Sequence, residues 1–201
     1  MKKVLVTYST ISGSTAEVAQ EVAREIGEGG MQAEILPLEK VGDLTAYSAV
    51  VIGAPMVMGW HRSACKFMAK NQAAFQQIPL AAFATGISLT TAGETEVSGV
   101  PVFVDEILAK PVENAGRPSL KERYTELKNY AAPIIKAAGP AHPVSLAFFG
   151  GRLDYRRLKL PAMLFVMLVI RASPGDRRNW DAIRSWAGRL PQLFNSRAAG
   201  N

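Results

Sequence analysis

Five hydroxyl side chains crowd residues 9–15, namely Ser9, Thr10, Ser12, Ser14 and Thr15, with Ile11 and Gly13 between them. An apolar run, Val4-Leu5-Val6, leads into them, and a helical pattern leaves from them. That order of residues is a phosphate cradle. A helix start offers unpaired N–H groups and the positive end of its dipole, the hydroxyls donate further hydrogen bonds, and Gly13 lets the backbone approach closely. The segment carries no Lys or Arg. A nucleoside triphosphate loop would contain the Walker lysine and a dinucleotide fold its Gly-x-Gly-x-x-Gly, neither of which is written here. The residues suit one terminal monophosphate gripped by neutral donors; the plainer alternative is a Ser/Thr cap on an ordinary helix.

The run Thr10-Ile11-Ser12-Gly13-Ser14-Thr15 resembles the Thr/Ser-x-Thr/Ser-Gly-x-Thr phosphate loop of flavodoxin-like proteins. The resemblance implies that this loop grips the phosphate of FMN. It also implies that a second loop, leaving the third strand, lies against the isoalloxazine ring. Residues 49–54 read as that strand, and Pro55-Met56-Val57-Met58-Gly59-Trp60-His61 as the loop leaving it. Thr85 and Gly86, at the end of a fourth strand, complete the cofactor contacts implied in this way. FMN is the expected cofactor, and no metal is expected. Trp60 is read either as a stacking partner for the ring or as a hydrophobic anchor.

The elements that must hold these loops are legible as periodicities. Residues 2–8 form a buried apolar run, and 16–26 carry Ala16, Ala19, Val22, Ala23 and Ile26 at helical spacing, ended by Gly27, Gly29 and Gly30. Residues 32–36 read as an edge strand, 62–75 as a helix and 80–85 as the fourth strand. Residues 120–138 read as a long helix containing Pro133, which kinks it or marks its last turns. Residues 143–149 give the fifth strand, and 179–190 a closing helix with Asp181 in its first turn and Pro191 near its end. The expectation is an α/β fold, a doubly wound five-stranded parallel sheet in the order 2-1-3-4-5 with helices on both faces. At 201 residues, 48% of them hydrophobic, the chain is expected to form one domain over residues 1–201. It holds more chain than that core needs, at about 90–118, with a short helix at 102–109, and at 152–178.

Charge is uneven. Residues 1–150 hold 13 basic and 14 acidic side chains, whereas 151–201 hold 10 basic and 3 acidic. The basic excess flanks Leu160-Pro161-Ala162-Met163-Leu164-Phe165-Val166-Met167-Leu168-Val169-Ile170, with Arg152, Arg156, Arg157 and Lys159 before it and Arg171, Arg177 and Arg178 after it. As a helix this run rises about 16 Å, roughly half a bilayer core, so it cannot span. Residues 158–170 therefore read as an element lying in the interface of an anionic membrane, or else as a buried core helix. A nucleic-acid surface is disfavoured, because the basic residues ring an apolar run rather than line a polar, aromatic groove. Cys65 is alone, so no intramolecular disulfide forms, and it reads as a small buried thiol. Met1-Lys2-Lys3 runs into the first strand without a signal-peptide pattern, so a cytoplasmic protein is expected.

A narrower resemblance rests on Gly150-Gly151-Arg152-Leu153-Asp154-Tyr155-Arg156-Arg157, the Met163/Met167 run, Asp176-Arg177-Arg178-Asn179-Trp180, and Ile52-Gly53-Ala54-Pro55-Met56 with Gly59-Trp60-His61-Arg62-Ser63-Ala64. These stretches resemble the flavodoxin-like menaquinone-dependent protoporphyrinogen oxidases of bacteria. The segment 90–118 is the departure from that pattern. The resemblance implies an FMN-dependent oxidoreductase that takes electrons from a porphyrinogen-like substrate and passes them to a membrane quinone. It also leaves His61 as a proton donor or propionate contact, or else a polar surface residue, and Arg62, Arg152 and Arg156 as candidate contacts for substrate carboxylates, or else solvated surface arginines. The alternative is a flavodoxin-type electron carrier without its own substrate. Such carriers are typically acidic, and the pI near 9.6 argues against it. A scaffold that has lost FMN is disfavoured by the intact hydroxyl set.

Overall fold

Val, Ile, Ala and Phe fill the central strands on both faces, which requires a covering layer on each side. The computed structural model describes residues 2–57, 59–111, 122, 125–154 and 174–199. Along the chain run β1 (Lys3–Tyr8), α1 (Ser14–Glu28), β2 (Gln32–Pro37), β3 (Ala49–Pro55), α2 (Arg62–Lys70), α3 (Gln72–Gln77) and β4 (Leu80–Gly86). There follow β5 (Leu89–Thr90), β6 (Glu96–Val97), β7 (Val100–Val104), β8 (Ala109–Lys110), α4 (Leu127–Ala138), β9 (Ser145–Gly150), β10 (Arg152–Leu153), β11 (Gly175–Asp176), α5 (Trp180–Ala187) and α6 (Leu190–Ala199). The main sheet has the order β2-β1-β3-β4-β9-β7-β6. Its first five strands are parallel and reproduce the expected 2-1-3-4-5 winding. Two buried clusters flank it. Val18, Val22, Ile26, Ile183 and Trp186 cover one face from α1 and α5, while Ala64, Met68, Leu127 and Ile134 cover the other from α2 and α4.

Four expectations need correction. The helix expected at 102–109 is instead strand over 102–104 followed by a turn: Val100, Val102, Phe103 and Val104 are β-branched or aromatic, and β7 pairs in parallel with β9, so the sheet gains a sixth strand. The two-residue β6 then closes the edge in antiparallel fashion. The helix expected at 62–75 breaks at Asn71, whose side-chain Nδ2 donates to the Phe67 carbonyl at 2.8 Å and ends α2. The helix expected over 120–138 is interrupted at Glu126, which is extended and bridges to Thr90; Glu122 and Thr125 before it are helical, residues 120, 121, 123 and 124 lie outside the described residues, and α4 runs from Leu127 through Pro133 to Ala138. The closing helix is two helices split at Gly188, and Pro191 sits in the first turn of α6, where its missing N–H is harmless. The extra segment at 90–118 is described as far as residue 111, and that at 152–178 only at its ends, residues 152–154 and 174–178, where β10 and β11 form an antiparallel pair.

Candidate functional site

Parallel strands deliver their following loops to one edge, and the loops after β1, β3, β4 and β9 meet there. The loop after β1 is tied down at its base, where Ser9 N donates to the Gly53 carbonyl of β3 at 2.9 Å. It turns through Gly13, whose φ of 90° lies in the left-handed region open to glycine. Gly13 N donates to Thr10 Oγ1 at 2.9 Å, so the loop is internally braced while the Thr10 proton stays free to donate.

Gly13 is also the N-cap of α1, and no side chain caps the helix. The first intrahelical bond runs from Glu17 N to the Gly13 carbonyl, so the N–H groups of Ser14, Thr15 and Ala16 precede it and point out of the helix start. Two further hydroxyls bear on this space. Ser9 Oγ is buried and has no hydrogen-bond partner among the described residues. Thr15 Oγ1 meets Thr85 Oγ1 at 2.9 Å in the buried interior, and one proton of that pair remains for a third group. The structure thus brings Ser9, Thr10, Ser12, Gly13, Ser14, Thr15 and Thr85 to one locus. It joins the phosphate loop to β4, a link the sequence does not display.

The loop after β3 is a tight reversal. Met56 N donates to the Thr85 carbonyl at 2.8 Å, Val57 N to Gly59 O at 3.1 Å and His61 N to Pro55 O at 3.1 Å, with Gly59 at a φ of 108°. Trp60 decides between its two readings in favour of the anchor. It is 4% exposed, and its indole N–H donates to the Phe83 carbonyl at 3.4 Å, so its ring lies in the core rather than facing a ligand. The exposed apolar side chains of the loops after β1 and β3 are instead Ile11 and Val57, one on each. Met58 lies outside the described residues. His61 heads α2 with Nδ1 2.7 Å from Ser63 Oγ, and Arg62 is exposed beside it. Cys65 Sγ donates to the Trp60 carbonyl at 3.7 Å, and partial burial pushes its thiol pKa up, which favours the thiol over the thiolate. At the ends of β4 and β9, Gly151 N donates to the Gly86 carbonyl at 2.7 Å. A Cβ on Gly150 would fall 1.8 Å from the Arg177 carbonyl oxygen, so glycine there lets the chain return across the sheet edge.

Arg152 does not stand free for a substrate carboxylate. Its Nη2 meets Glu17 Oε1 at 2.9 Å, and Arg178 Nη1 meets the other oxygen of Glu17 at 2.5 Å. Arg178, 5% exposed, also grips Asp176 through Nε and Nη2, at 2.8 and 2.5 Å, and lies 4.6 Å over the Trp180 ring. That grip holds the Asp176 carboxyl below its ordinary pKa against the opposing effect of burial. In the sequence, Arg178 stands out only as part of the basic flank and of the resemblance, and Glu17 does not stand out, although an acidic residue in the first turn of α1 is visible there. Asp105 was hidden by the mistaken helix. It is fully buried at the end of β7, where Oδ1 accepts from Ile107 N at 3.0 Å and Asn179 Nδ2 at 3.1 Å, and Oδ2 from Gly150 N at 3.2 Å. Arg156 and residues 158–170 lie outside the described residues.

A model of the flavodoxin domain matches residues 5–178. The chain belongs to this family. Over 202 residues, covering 95% of this chain and 96% of the relative, it is 22% identical to the protoporphyrinogen IX dehydrogenase (quinone) of Escherichia coli K12. Among solved structures it is similar to a flavodoxin from the domain Archaea, with a TM-score of 0.51, 14% identity and coverage of 96% of this chain and 99% of that one. A short-chain flavodoxin associated with a non-canonical PDU bacterial microcompartment gives a TM-score of 0.55 at 11% identity, with 98% and 99% covered. Both show the fold.

Flavodoxin family membership implies FMN as the cofactor and oxidoreduction or electron transfer as the broad activity. The residues fit that cofactor. The uncapped start of α1, the orphaned buried hydroxyl of Ser9 and a loop free of cations form a donor set for one phosphate. Among the described residues, no helix is long and apolar enough to cross a membrane.

Proposed function

We propose that the chain is an FMN-dependent oxidoreductase that takes electrons from a porphyrinogen-like substrate and delivers them to a quinone at a membrane surface. The observation that carries the reading is the likeness to a curated quinone-linked protoporphyrinogen IX dehydrogenase along nearly the full length of both chains. When bound, FMN supplies the hydride-accepting chemistry, and the protein supplies binding, orientation and exclusion of water. Ser9, Thr10, Ser12, Ser14 and Thr15 bind the phosphate together with the first N–H groups of α1. Thr85 shares a hydroxyl proton with Thr15, which couples phosphate binding to the end of β4. Ile11 and Val57 offer apolar surface beside the ring, with Pro55, Met56, Gly59 and Gly86 shaping its bed and Trp60 pinning the loop from beneath. His61, hydrogen-bonded to Ser63, is placed to hold a proton at Nδ1 or Nε2 next to this loop.

Residues 158–170 and their basic flanks are the proposed membrane contact. The argument is the sequence pattern of an uncharged run between Arg and Lys. Leu164→Asp with Met167→Asp should reduce co-sedimentation with anionic vesicles while FMN stays bound; equal sedimentation of variant and wild type removes this part of the proposal. The reaction itself is tested by anaerobic mixing of the FMN-loaded protein with protoporphyrinogen IX and a menaquinone analogue. Porphyrin fluorescence should rise with quinone reduction and stop when FMN is stripped. If no porphyrin forms while the reduced protein readily passes electrons to soluble redox proteins, the chain is a carrier.

A further inference from the structure

The added strand β7 widens the sheet by about 4.8 Å beyond β9. On the face covered by α1, α5 and α6, the helix layer of the described residues does not close over this extension, and Phe103 of β7 is half-buried. Between β7 and α6 lies a cavity of about 460 Å³ lined by Phe103, Val144, Trp186, Arg189, Gln192 and Leu193 among others. Its volume falls in the lower part of the range of small-molecule sites. Val144 and Ser145 mark the amino end of β9, so the cavity opens at the end of the sheet opposite the phosphate loop.

The lining specifies an occupant. Phe103, Val144 and Leu193 give an apolar wall, and Gln192 and Ser196 give a polar rim. Arg189 is the one charged residue in the lining. Its guanidinium lies 5.0 Å over the Phe103 ring, and Nε donates to the Ser185 carbonyl at 3.2 Å, which fixes the plane and leaves the Nη groups directed elsewhere. The neighbouring Arg184 is held by Glu21 and Asp181, whereas no carboxylate among the described residues pairs with Arg189. A planar guanidinium oriented by stacking and by one backbone bond, beside an apolar wall and no acid, is complementary to a carboxylate carried on an apolar body.

We propose that this cavity binds a small amphiphilic carboxylate, its acid on Arg189 and its apolar body along Phe103, Val144 and Leu193. The site is separate from the FMN site and does not depend on the redox reading. Trp186 forms part of the wall and donates from Nε1 to Ser145 Oγ at 2.9 Å, so its indole N–H signal reports on occupancy.

The test is an NMR titration of the FMN-loaded full chain with 2-naphthoate, 2-naphthylmethanol and 2-naphthylmethylamine. Naphthoate should shift the Trp186 indole signal with a Kd of roughly 0.1–1 mM, and the alcohol and amine should bind at least tenfold more weakly. Arg189→Gln, at an exposed position, should weaken naphthoate at least tenfold without changing the fold. Gln192→Glu should do the same by giving Arg189 a partner of its own. No shift of Trp186 at 10 mM naphthoate, on the order of ten times the upper expected Kd, overturns the proposal. So does an amine that binds as well as the acid, equal binding by Arg189→Gln, or naphthoate that acts only by displacing FMN.

Discussion

At one edge of the sheet, the loop after β1 leaves a buried hydroxyl, that of Ser9, without a partner, whereas the end of β7 surrounds the buried carboxylate of Asp105 with three donors. Both groups are polar, both are removed from water, and both lie at strand ends. They differ in whether the protein answers its own demand. Around Asp105 every donor is internal: a backbone N–H from its own loop, one from β9, and the amide of Asn179, whose oxygen at the same time caps α5 by accepting from Ala182 N at 3.2 Å. The cluster therefore fixes β7, β9 and α5 relative to each other. Around Ser9 the loop leads into the uncapped start of α1, and the described residues offer its hydroxyl no partner. A satisfied buried cluster holds the fold, whereas a buried hydroxyl without a partner at a loop of donors is one that a ligand can satisfy.

The comparison breaks most visibly at Asp105. Asp105→Ala orphans the Gly150 N–H and the Asn179 amide, each costing about 1–3 kcal/mol when buried without a partner. A loss of about 3 kcal/mol is expected, read from the urea midpoint at unchanged slope. If Asp105→Ala unfolds at the wild-type midpoint, the cluster does not hold the fold.

The phosphate loop should show its effect in binding. Ser12→Ala with Thr15→Ala removes two bonds to a charged group, each about 1.5–3 kcal/mol, so FMN affinity should fall at least 100-fold. Thr15→Ala alone also deletes the bond to Thr85 and should cost about 1 kcal/mol of apoprotein stability. Flavin fluorescence titration measures the first effect and urea unfolding the second. Unchanged FMN affinity in the double variant would remove the assignment of this loop.

Ser9→Ala sharpens the contrast, because its two effects have opposite signs. Without ligand, alanine removes a buried hydroxyl that has no partner, so the apoprotein should be unchanged or more stable by up to about 1 kcal/mol. With ligand, the lost donor should lower FMN affinity about tenfold. A variant that weakens apoprotein and binding together would mean that Ser9 is structural, like Asp105.

These differences explain what was legible in advance. The hydroxyl run at 9–15 and the apolar strands read directly, since each is a local pattern of residue type and spacing. Trp60 could be read either way, because an indole at a loop's end anchors or stacks depending on its neighbours, and Phe83 lies 23 residues further on. Asp105 is not legible in the sequence, because its partners come from its own loop, β9 and the cap of α5, and because the expected helix at 102–109 covers it. Local propensity favoured the strand, and the β9 edge completed it. Arg152 reads as a candidate contact for a substrate carboxylate or as a solvated arginine, and Glu17, in the first turn of α1, claims it instead.

The smallest expected effect concerns the ion cluster that links α1 to the base of the 152–178 segment. Arg178 holds the Asp176 carboxyl below its ordinary pKa, so the folded value lies under the unfolded one, near 4. A carboxyl depressed in this way adds stability that is fully present above the unfolded pKa and is lost as pH falls through the folded pKa. Asp176 is 43% exposed, and solvent screening keeps the contribution small. The wild type should lose Tm more steeply than Asp176→Asn as pH falls from about 5 to 2, and the two curves should converge at the acid end. Glu21 and Glu94 are also depressed, by Arg24 and by Thr91, so they titrate in both proteins and cancel in the difference. Parallel curves would mean that Arg178 is held by Glu17 alone, and that the base of the segment is fastened to the phosphate-binding helix rather than to its own hairpin.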